Sequence, residues 1–181
     1  MKLIKVAYYV AKLKQKVMRS PEEISKFYRC RGMKIGSNTI ICGYMPIAEP
    51  ALVEIKNNCV ISSEVAFITH DHSINKVTEK GSNLFGKITI GNNCFIGQRS
   101  TILYGVTLAD NIIVGSGSLV TKFFLENNIV IAGNPARVVG TWDAFRQKYE
   151  NKAAFMSELD DILNGNIDKL VSKEKRIASI I

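Results

Sequence analysis

An aliphatic side chain recurs at every sixth position through the middle of this 181-residue chain. The series runs through Ile90, Ile96, Ile102, Leu108, Val114 and Val120, with glycine beside it at Gly91, Gly97 and Gly115. Positions six apart lie on nearly opposite faces of an α-helix, and simple strand alternation needs no glycine at every sixth residue. The spacing therefore predicts a repeat architecture built from short strands and tight corners.

A triangular coil fits this repeat, because each strand with its corner takes six residues and three of them close one turn. The aliphatic residue points into the prism. Gly, Asn, Asp or Ser serve the corners, where a positive φ or a local side-chain hydrogen bond is needed. The same unit occurs earlier in the chain, at residues 35–40 and 55–61. Since stacked turns bury a continuous apolar column, we predict an all-β solenoid rather than a β-sandwich with coincidental spacing.

Two stretches break the six-residue phase. The first lies at about residues 42–54 and contains Pro46 and Pro50. The second covers about residues 68–87, is polar, and ends in turn-forming residues, so it is predicted to protrude from the coil as a loop. Long loops on rigid scaffolds often carry function.

Both ends of the chain are predicted to be helical. Apolar and basic residues mix over 3–18 and 22–30, and Pro21 marks the start of the second helix. Residues 142–163 alternate apolar and charged side chains at helical spacing, and the residues beyond 165 form another short helix or fray. The predicted organisation is an N-terminal helical segment (1–31), the solenoid (32–140, with the loop at 68–87) and a C-terminal helical segment (141–181).

Composition limits the compartment and the ligand classes. The net charge of +8 suits an anionic ligand, an anionic lipid surface or nucleic acid, and does not choose between them. No apolar run approaches the roughly 20 residues that span a bilayer, and the N-terminus lacks a signal-peptide cleavage site, so we expect a cytoplasmic protein. The four cysteines show no metal-ligand spacing, and Cys59 and Cys94 are expected to be buried free thiols.

The chain contains two histidines, and both lie in the segment Thr-His-Asp-His-Ser at the start of the second interruption, as His70 and His72. Imidazole accepts a proton near neutral pH, which is the step that general-base catalysis requires. Residues two apart in an extended strand share a face, so a metal-binding pair is the alternative. Because no third histidine and no cysteine accompanies them, we expect no metal here.

The hexads, the histidine loop and the run Gly-Asn-Pro-Ala-Arg-Val-Val at 133–139 together resemble the galactoside, maltose and xenobiotic O-acetyltransferases. The resemblance covers about residues 35–140. It implies a left-handed parallel β-helix with N- and C-terminal α-helices, assembled as a homotrimer. In that family an Asp-His-Pro or Gly-His-Pro tripeptide carries the catalytic base, and Asp71-His72-Ser73 stands in its place. The resemblance therefore implies His72 as the general base, next to Asp71, with His70 in reserve.

The same resemblance implies a binding site for acetyl-CoA, position by position. Phe95 replaces a tryptophan that lines the pantetheine channel, and Ser116 matches a small residue whose backbone bonds the pantetheine amides. Thr121 and Lys122 match a Thr-Lys pair near the adenosine end. Arg137 matches the basic residue after Asn-Pro-Ala, whose planar fork of donors suits a phosphate.

The implied function is an acetyl-CoA-dependent O-acetyltransferase acting on a sugar hydroxyl of a saccharide or surface-polysaccharide precursor. N-acetylation of an amino sugar and a non-catalytic solenoid scaffold are the alternatives. Tyr44, Met45 and Glu49 in the first interruption either shape the acceptor pocket or form a structural kink. No nucleic-acid partner is expected. The basic N-terminal helix either packs against the solenoid or makes a peripheral contact with an anionic membrane.

Overall fold

Short strands follow one another along the first of two structural units, which spans residues 1–142. The computed structural model describes residues 2–18, 22–79 and 81–153. In chain order the strands are β1 (Lys34–Ile35), β2 (Ile40–Ile41), β3 (Val53–Ile55), β4 (Val60–Ile61), β5 (Ala66–Ile68), β6 (His70–Asp71), β7 (Leu84–Phe85), β8 (Ile88–Ile90), β9 (Phe95–Ile96), β10 (Thr101–Leu103), β11 (Thr107–Leu108), β12 (Ile112–Val114), β13 (Leu119–Val120), β14 (Ile129–Gly133) and β15 (Ala136–Thr141).

These strands form three sheets that the chain visits in rotation. Sheet 1 has the order β1-β3-β8-β11, sheet 2 the order β15-β14-β12-β9-β4-β2, and sheet 3 the order β13-β10-β5. All neighbours within them run parallel except β14 and β15, which form an antiparallel end to sheet 2. The strands β6 and β7 make a separate antiparallel pair. A chain that returns to each of three parallel sheets in turn is a three-sided coil.

The register between neighbouring strands shows the length of one turn. Ile90 pairs with Leu108, Ile96 with Val114, and Ile102 with Val120, so each side chain meets the one 18 residues further on. Three hexads therefore make one turn, as the spacing predicted. All six side chains of the series are at most 1% exposed, which confirms that the sixth-position residues form the core. Burying an aliphatic side chain of this size contributes about 1.5–3 kcal/mol to folding.

Asparagine makes one set of corners. Asn38, Asn58, Asn93, Asn111 and Asn128 all have positive φ values between 54° and 62°. The side chain of Asn93 donates a hydrogen bond to Asn111 (2.9 Å), and that of Asn111 donates to Asn128 (2.7 Å). Asparagine tolerates the left-handed region better than most residues because its short polar side chain bonds locally. The corners predicted from composition are therefore stacked and hydrogen-bonded along the coil.

The glycines of the hexads have a different role from the one the sequence indicated. Gly91 and Gly97 have ordinary φ values, whereas the asparagines take the positive ones. A Cβ on Gly91 would lie 2.3 Å from the carbonyl oxygen of Ala109, and one on Gly97 would lie 2.5 Å from the amide nitrogen of Ser116. These glycines are needed because the backbone of the next turn passes too close for any side chain.

The two interruptions insert residues at the same side of the coil. The first replaces the third side of the first turn and ends in a 3-10 turn at Pro50–Leu52. Since β3 already begins at Val53, this break is two residues shorter than predicted. The second falls between β5 and β8 and folds into β6, a 3-10 turn at Ser73–Lys76, and β7.

The predicted N-terminal helices are present as α1 (Lys2–Met18) and α2 (Glu22–Arg29). Tyr8 of α1 is buried, with its ring centroid 5.8 Å from that of Phe27 and 5.0 Å from that of Tyr44. Tyr28 of α2 is buried too, and its hydroxyl accepts a 2.6 Å hydrogen bond from the amide of Met45. Both helices are thus attached to the start of the coil. Among the described residues, no helix is long and apolar enough to cross a membrane.

The second unit, residues 143–181, is described as far as residue 153. A helix, α3 (Trp142–Tyr149), and a 3-10 turn at Glu150–Lys152 form this stretch. Of the helix predicted over 142–163, residues 142–149 are α-helical and residues 150–152 form a 3-10 turn, while residues 154–163 and those beyond 165 lie outside the described residues.

Cys59 and Cys94 are confirmed as buried free thiols, and Cys30 and Cys42 are free and exposed. The buried thiols donate hydrogen bonds to backbone carbonyls of the next turn, Cys59 to Gly91 (3.0 Å) and Cys94 to Ala109 (3.3 Å). They are core residues of the coil.

Candidate active site

The two histidines lie together at the start of the second interruption. His70 is on β6 and pairs with Phe85 of β7, and His72 follows at the beginning of the 3-10 turn. Their ring centroids are 4.9 Å apart and the rings are nearly perpendicular, at 87°. His70 is half-buried, whereas His72 is exposed. The structure thus brings both predicted bases into one edge-to-face pair.

A carboxylate from the other interruption holds His70. The Nδ1 atom of His70 lies 2.9 Å from Oε2 of Glu49, and the hydroxyl of Thr69 donates to the same oxygen. An ionised carboxylate can only accept, so Nδ1 of His70 must carry the proton and Nε2 is left as the proton acceptor. The carboxylate consequently fixes both the orientation and the tautomer of the ring.

The pKa of Glu49 agrees with this arrangement. Burial raises the pKa, but the hydrogen bonds from Thr69 and His70 and the attraction of His70 outweigh it, and the pKa lies below its ordinary value of 4.5. Glu49 is therefore ionised at neutral pH and remains available as an acceptor.

Asp71 stabilises the turn between the two histidines. Its Oδ1 accepts a 2.7 Å hydrogen bond from the backbone amide of Ser73. Hydrogen bonds from the backbone and side chain of Ser73 hold the pKa of Asp71 below its ordinary value. In the described contacts the carboxylate of Asp71 bonds to the backbone of the turn that begins at His72. This contact fits a role in positioning His72.

Sequence reasoning did not assign Glu49 to the histidines. It grouped Glu49 with Tyr44 and Met45 as either pocket or kink, and the structure divides that group. Met45 is fully buried and its backbone is bonded to Tyr28, so it belongs to the core. Glu49 reaches His70 across 21 residues of sequence. The sequence did contain one signal. Glu49 is a carboxylate in the first interruption, and that interruption replaces the side of the coil stacked next to the strand that leads into the histidines.

Three of the five predicted cofactor residues lie where sheet 2 turns into sheet 3. Phe95 is exposed on β9, two residues before the corner at Gly97. Ser116 is exposed in the corresponding corner one turn later. Arg137 pairs with Ala132, whose Cβ would lie 2.9 Å from a Cβ built on the neighbouring Gly115. These three residues therefore share one edge of the coil.

Thr121 and Lys122 lie at the opposite edge of sheet 3. They follow β13, which pairs with β10, and β10 pairs with β5, the strand that leads into the histidine loop. Both are exposed, and the ammonium of Lys122 is 5.5 Å from the ring centroid of Phe124. Within one chain, the histidines and the Thr-Lys pair thus share an edge that Phe95, Ser116 and Arg137 do not.

The repeat and a large part of the chain have relatives among known proteins. A model of the hexapeptide repeat of succinyl-transferase matches residues 87–122. Protein CapG of Staphylococcus aureus is 35% identical over 137 residues, which cover 71% of this chain and 77% of CapG. Galactoside O-acetyltransferase of Escherichia coli (strain K12) is 36% identical over 106 residues, 58% of this chain and 52% of that enzyme. The chain thus spans about half the length of the latter.

Two solved structures share the fold. A hexapeptide-repeat-containing acetyltransferase of Vibrio cholerae, complexed with acetyl coenzyme A, superposes with a TM-score of 0.57 at 19% identity over 78% of this chain and 88% of that one. A galactoside acetyltransferase in complex with coenzyme A gives a TM-score of 0.55 at 23% identity over 80% and 84%.

The three-sided coil with its repeat-matched core defines a hexapeptide-repeat protein. With the relationship to CapG and to galactoside O-acetyltransferase, the chain belongs to the hexapeptide-repeat acetyltransferase family. The family and the class of enzyme predicted from the sequence are thereby confirmed.

Proposed function

We propose that this chain transfers an acetyl group from acetyl-CoA to the hydroxyl of a sugar, with His72 as the general base. The observation that carries the proposal is the edge-to-face pair of imidazoles, in which Glu49 holds His70 and His70 packs against His72. Relatives that are named acetyltransferases, two of them solved with coenzyme A or its acetyl ester, support acetyl-CoA as the donor.

In the proposed reaction the exposed ring of His72 takes the proton of the acceptor hydroxyl. The hydroxyl oxygen attacks the thioester carbonyl and forms a tetrahedral intermediate. When the carbon–sulfur bond breaks, the imidazolium returns its proton to the leaving thiolate, so the products are the acetyl ester and free CoA. Direct transfer needs no acyl-enzyme, and the buried thiols of Cys59 and Cys94 lie in the core, where neither can act as a nucleophile.

A specific observation favours His70 as the second candidate for the base. Its Nδ1 is tied to a carboxylate, which is the arrangement that orients the imidazole of catalytic triads and stabilises its protonated form. In this version His72 packs against the active ring and binds the acceptor. Comparing single alanine variants separates the two assignments, because only the base is needed for proton transfer.

We propose a homotrimer of left-handed coils, and the outer faces of the sheets support it. The outward row of sheet 2 is entirely apolar: Ile40, Val60, Phe95, Ile113 and Val130 stack in register. The outward row of sheet 1 is polar, with Lys34, Glu54, Thr89 and Thr107. A contiguous apolar row on one face of the prism, next to a polar face, is typical of a protein–protein contact.

A trimer also explains the division of the predicted cofactor residues between two edges. The edge with the histidines, Thr121 and Lys122 of one copy would face the edge with Phe95, Ser116 and Arg137 of the next. Arg137 and Lys122 would bind phosphates, Ser116 the pantetheine amides through its backbone, and Phe95 the pantetheine chain. Closed threefold symmetry produces three such sites from one repeated contact.

The sugar hydroxyl is preferred over an amino sugar because galactoside O-acetyltransferase is among the relatives. A scaffold without catalytic function is disfavoured by the built histidine–carboxylate contact, which a scaffold does not need. We place the enzyme in the cytoplasm, where four unpaired cysteines stay reduced.

The test is thiol release from acetyl-CoA with a panel of sugars, nucleotide sugars and amino sugars. We expect release that depends on an added sugar and yields an ester that mild alkali cleaves. An alkali-stable amide would show instead that the acceptor is the amino group of an amino sugar. Absence of both turnover and CoA binding would support the scaffold.

A further inference from the structure

Helix α1 keeps most of its apolar surface outside the fold. Of its described side chains, residues 3–14, Tyr8 is the one that is buried. Its large apolar side chains are exposed by 49–85% at Leu3, Val6, Tyr9, Val10 and Leu13. An isolated exposed leucine is ordinary, but this helix buries one described side chain and leaves these five about half exposed or more, so the described part of the chain does not cover them.

The exposed residues form one stripe. Leu3, Val6, Val10 and Leu13 follow each other at intervals of three, four and three residues, which places them along one side of the helix. Tyr8 faces roughly the other way, into its contacts with Phe27 and Tyr44. The helix is therefore attached to the coil by one face and presents an apolar stripe on the opposite face.

The charges of α1 all have one sign. The sequence from Lys2 to Met18 contains five lysines, at positions 2, 5, 12, 14 and 16, and no acidic residue. Lys5, Lys12 and Lys14 are exposed. Beside the helix, the groove between α1 and α2 is lined by Lys14, Lys26 and Arg31 against one carboxylate, that of Glu23, which is paired with Lys26.

From this combination we infer that α1 docks the protein on an anionic phospholipid surface. The helix lies in the plane of the interface, with its apolar stripe in the headgroup–acyl boundary and its lysines at the phosphates. At 1.5 Å per residue its 17 residues measure about 26 Å, and its lysines prevent it from crossing the bilayer. The inference does not depend on the reaction catalysed by the coil.

Charge selects lipid over a second copy of the chain as the occupant. Pairing two α1 helices along their stripes would bring two sets of five lysines together with no acidic residue on either α1 helix to offset them. An anionic leaflet can bury the apolar stripe and pair its phosphates with the lysines at the same time. Each lysine near such a surface contributes roughly fivefold to the binding constant.

The full-length protein is to be sedimented with vesicles of phosphatidylcholine alone and with vesicles containing one-third phosphatidylglycerol. We expect binding to the anionic vesicles only, weakened at high salt. Lys5→Gln/Lys12→Gln should reduce it on the order of 30-fold. The matched control, Lys34→Gln/Lys56→Gln, removes the same charge from exposed positions of the coil and should leave binding within about twofold.

A second variant tests the apolar stripe at constant charge. Val6→Gln/Val10→Gln keeps the helix-forming tendency and should lower vesicle binding while the oligomeric mass measured by light scattering stays the same. If the wild type ignores anionic vesicles, or if the coil variant loses as much binding as the helix variant, the inference is wrong. A change in oligomeric mass without a change in vesicle binding would assign the stripe to a second copy.

Discussion

The regular turns of the coil and its two interruptions differ in the side chains that they bring into contact. From Ile90 to Val120 every sixth side chain is aliphatic and buried, and hydrogen bonds run between equivalent corners of successive turns. In the interruptions at 42–52 and 69–87, polar side chains contact one another across breaks in the repeat, as Glu49 does with His70. Stability is therefore concentrated in the repeat and the candidate chemistry in the breaks, so substitutions in the two regions should have separable effects.

Replacing His72 by alanine gives the largest expected effect on activity. Loss of a general base should lower acceptor-dependent turnover by about 10²–10⁴-fold, while the thermal midpoint stays within a degree or so because His72 is exposed. Thiol release and thermal unfolding of the same preparation measure the two quantities. The parallel variant His70→Ala decides the assignment. If it alone loses activity, the base is His70.

Replacing Ile96 by alanine should lower stability strongly, whereas the His72 variant lowers activity. Ile96 is fully buried between Ile61 and Val114, so the cavity should cost about 2–5 kcal/mol of unfolding free energy. Denaturant unfolding measures this loss. Thr89→Ala, on the outward polar row of sheet 1, is the matched control and should change stability by less than about 0.5 kcal/mol. Equal losses at both positions would contradict a core made by every sixth residue.

Gly97→Ala examines the close approach between turns. The new Cβ would lie 2.5 Å from the amide nitrogen of Ser116, so the backbone must shift, at a cost of about 1–3 kcal/mol. Gly140→Ala is the control, since no atom lies within 4 Å of the Cβ it adds and its φ is ordinary. Chemical denaturation of both variants should show a loss at Gly97 only.

Glu49→Gln is expected to have the smallest effect that remains measurable. Loss of the charged acceptor for His70 should reduce activity by about 10–100-fold if His70 takes part in proton transfer, and less otherwise. The contribution to stability has a defined sign. Because the pKa of Glu49 is lowered by folding, its contribution is present above the ordinary value of 4.5 and is lost as the pH falls through the lowered value. Wild type and variant should thus differ in unfolding free energy near pH 6 and converge once the pH has fallen below the lowered pKa of Glu49.

The difference between the two regions also explains what the sequence could predict. The position of Ile96 follows from a local six-residue rule, so the coil and its core are readable without a structure. Helical spacing in the same way predicts α1 and α2. His70 and His72 were found because both histidines of the chain occur in one segment. Their partner Glu49 was not, since the contact joins two breaks in the repeat, and no periodicity connects positions inside a break.

The role of the hexad glycines was also not readable from the sequence, because it too depends on a contact between distant residues. The sequence indicates that something tight occurs after each aliphatic residue, but not whether the cause is a positive φ or a neighbouring backbone. The structure assigns the positive φ to Asn93 and its equivalents and the close approach to Gly97. Both depend on the turn stacked above, which is 18 residues away in sequence.

The double variant His70→Ala/His72→Ala tests most directly the claim that the breaks carry the chemistry and the repeat carries the fold. Acceptor-dependent thiol release from acetyl-CoA should fall to the uncatalysed background. The affinity for CoA, measured by calorimetry, and the oligomeric mass should match those of the wild type. A double variant that turns over at the wild-type rate would contradict the account.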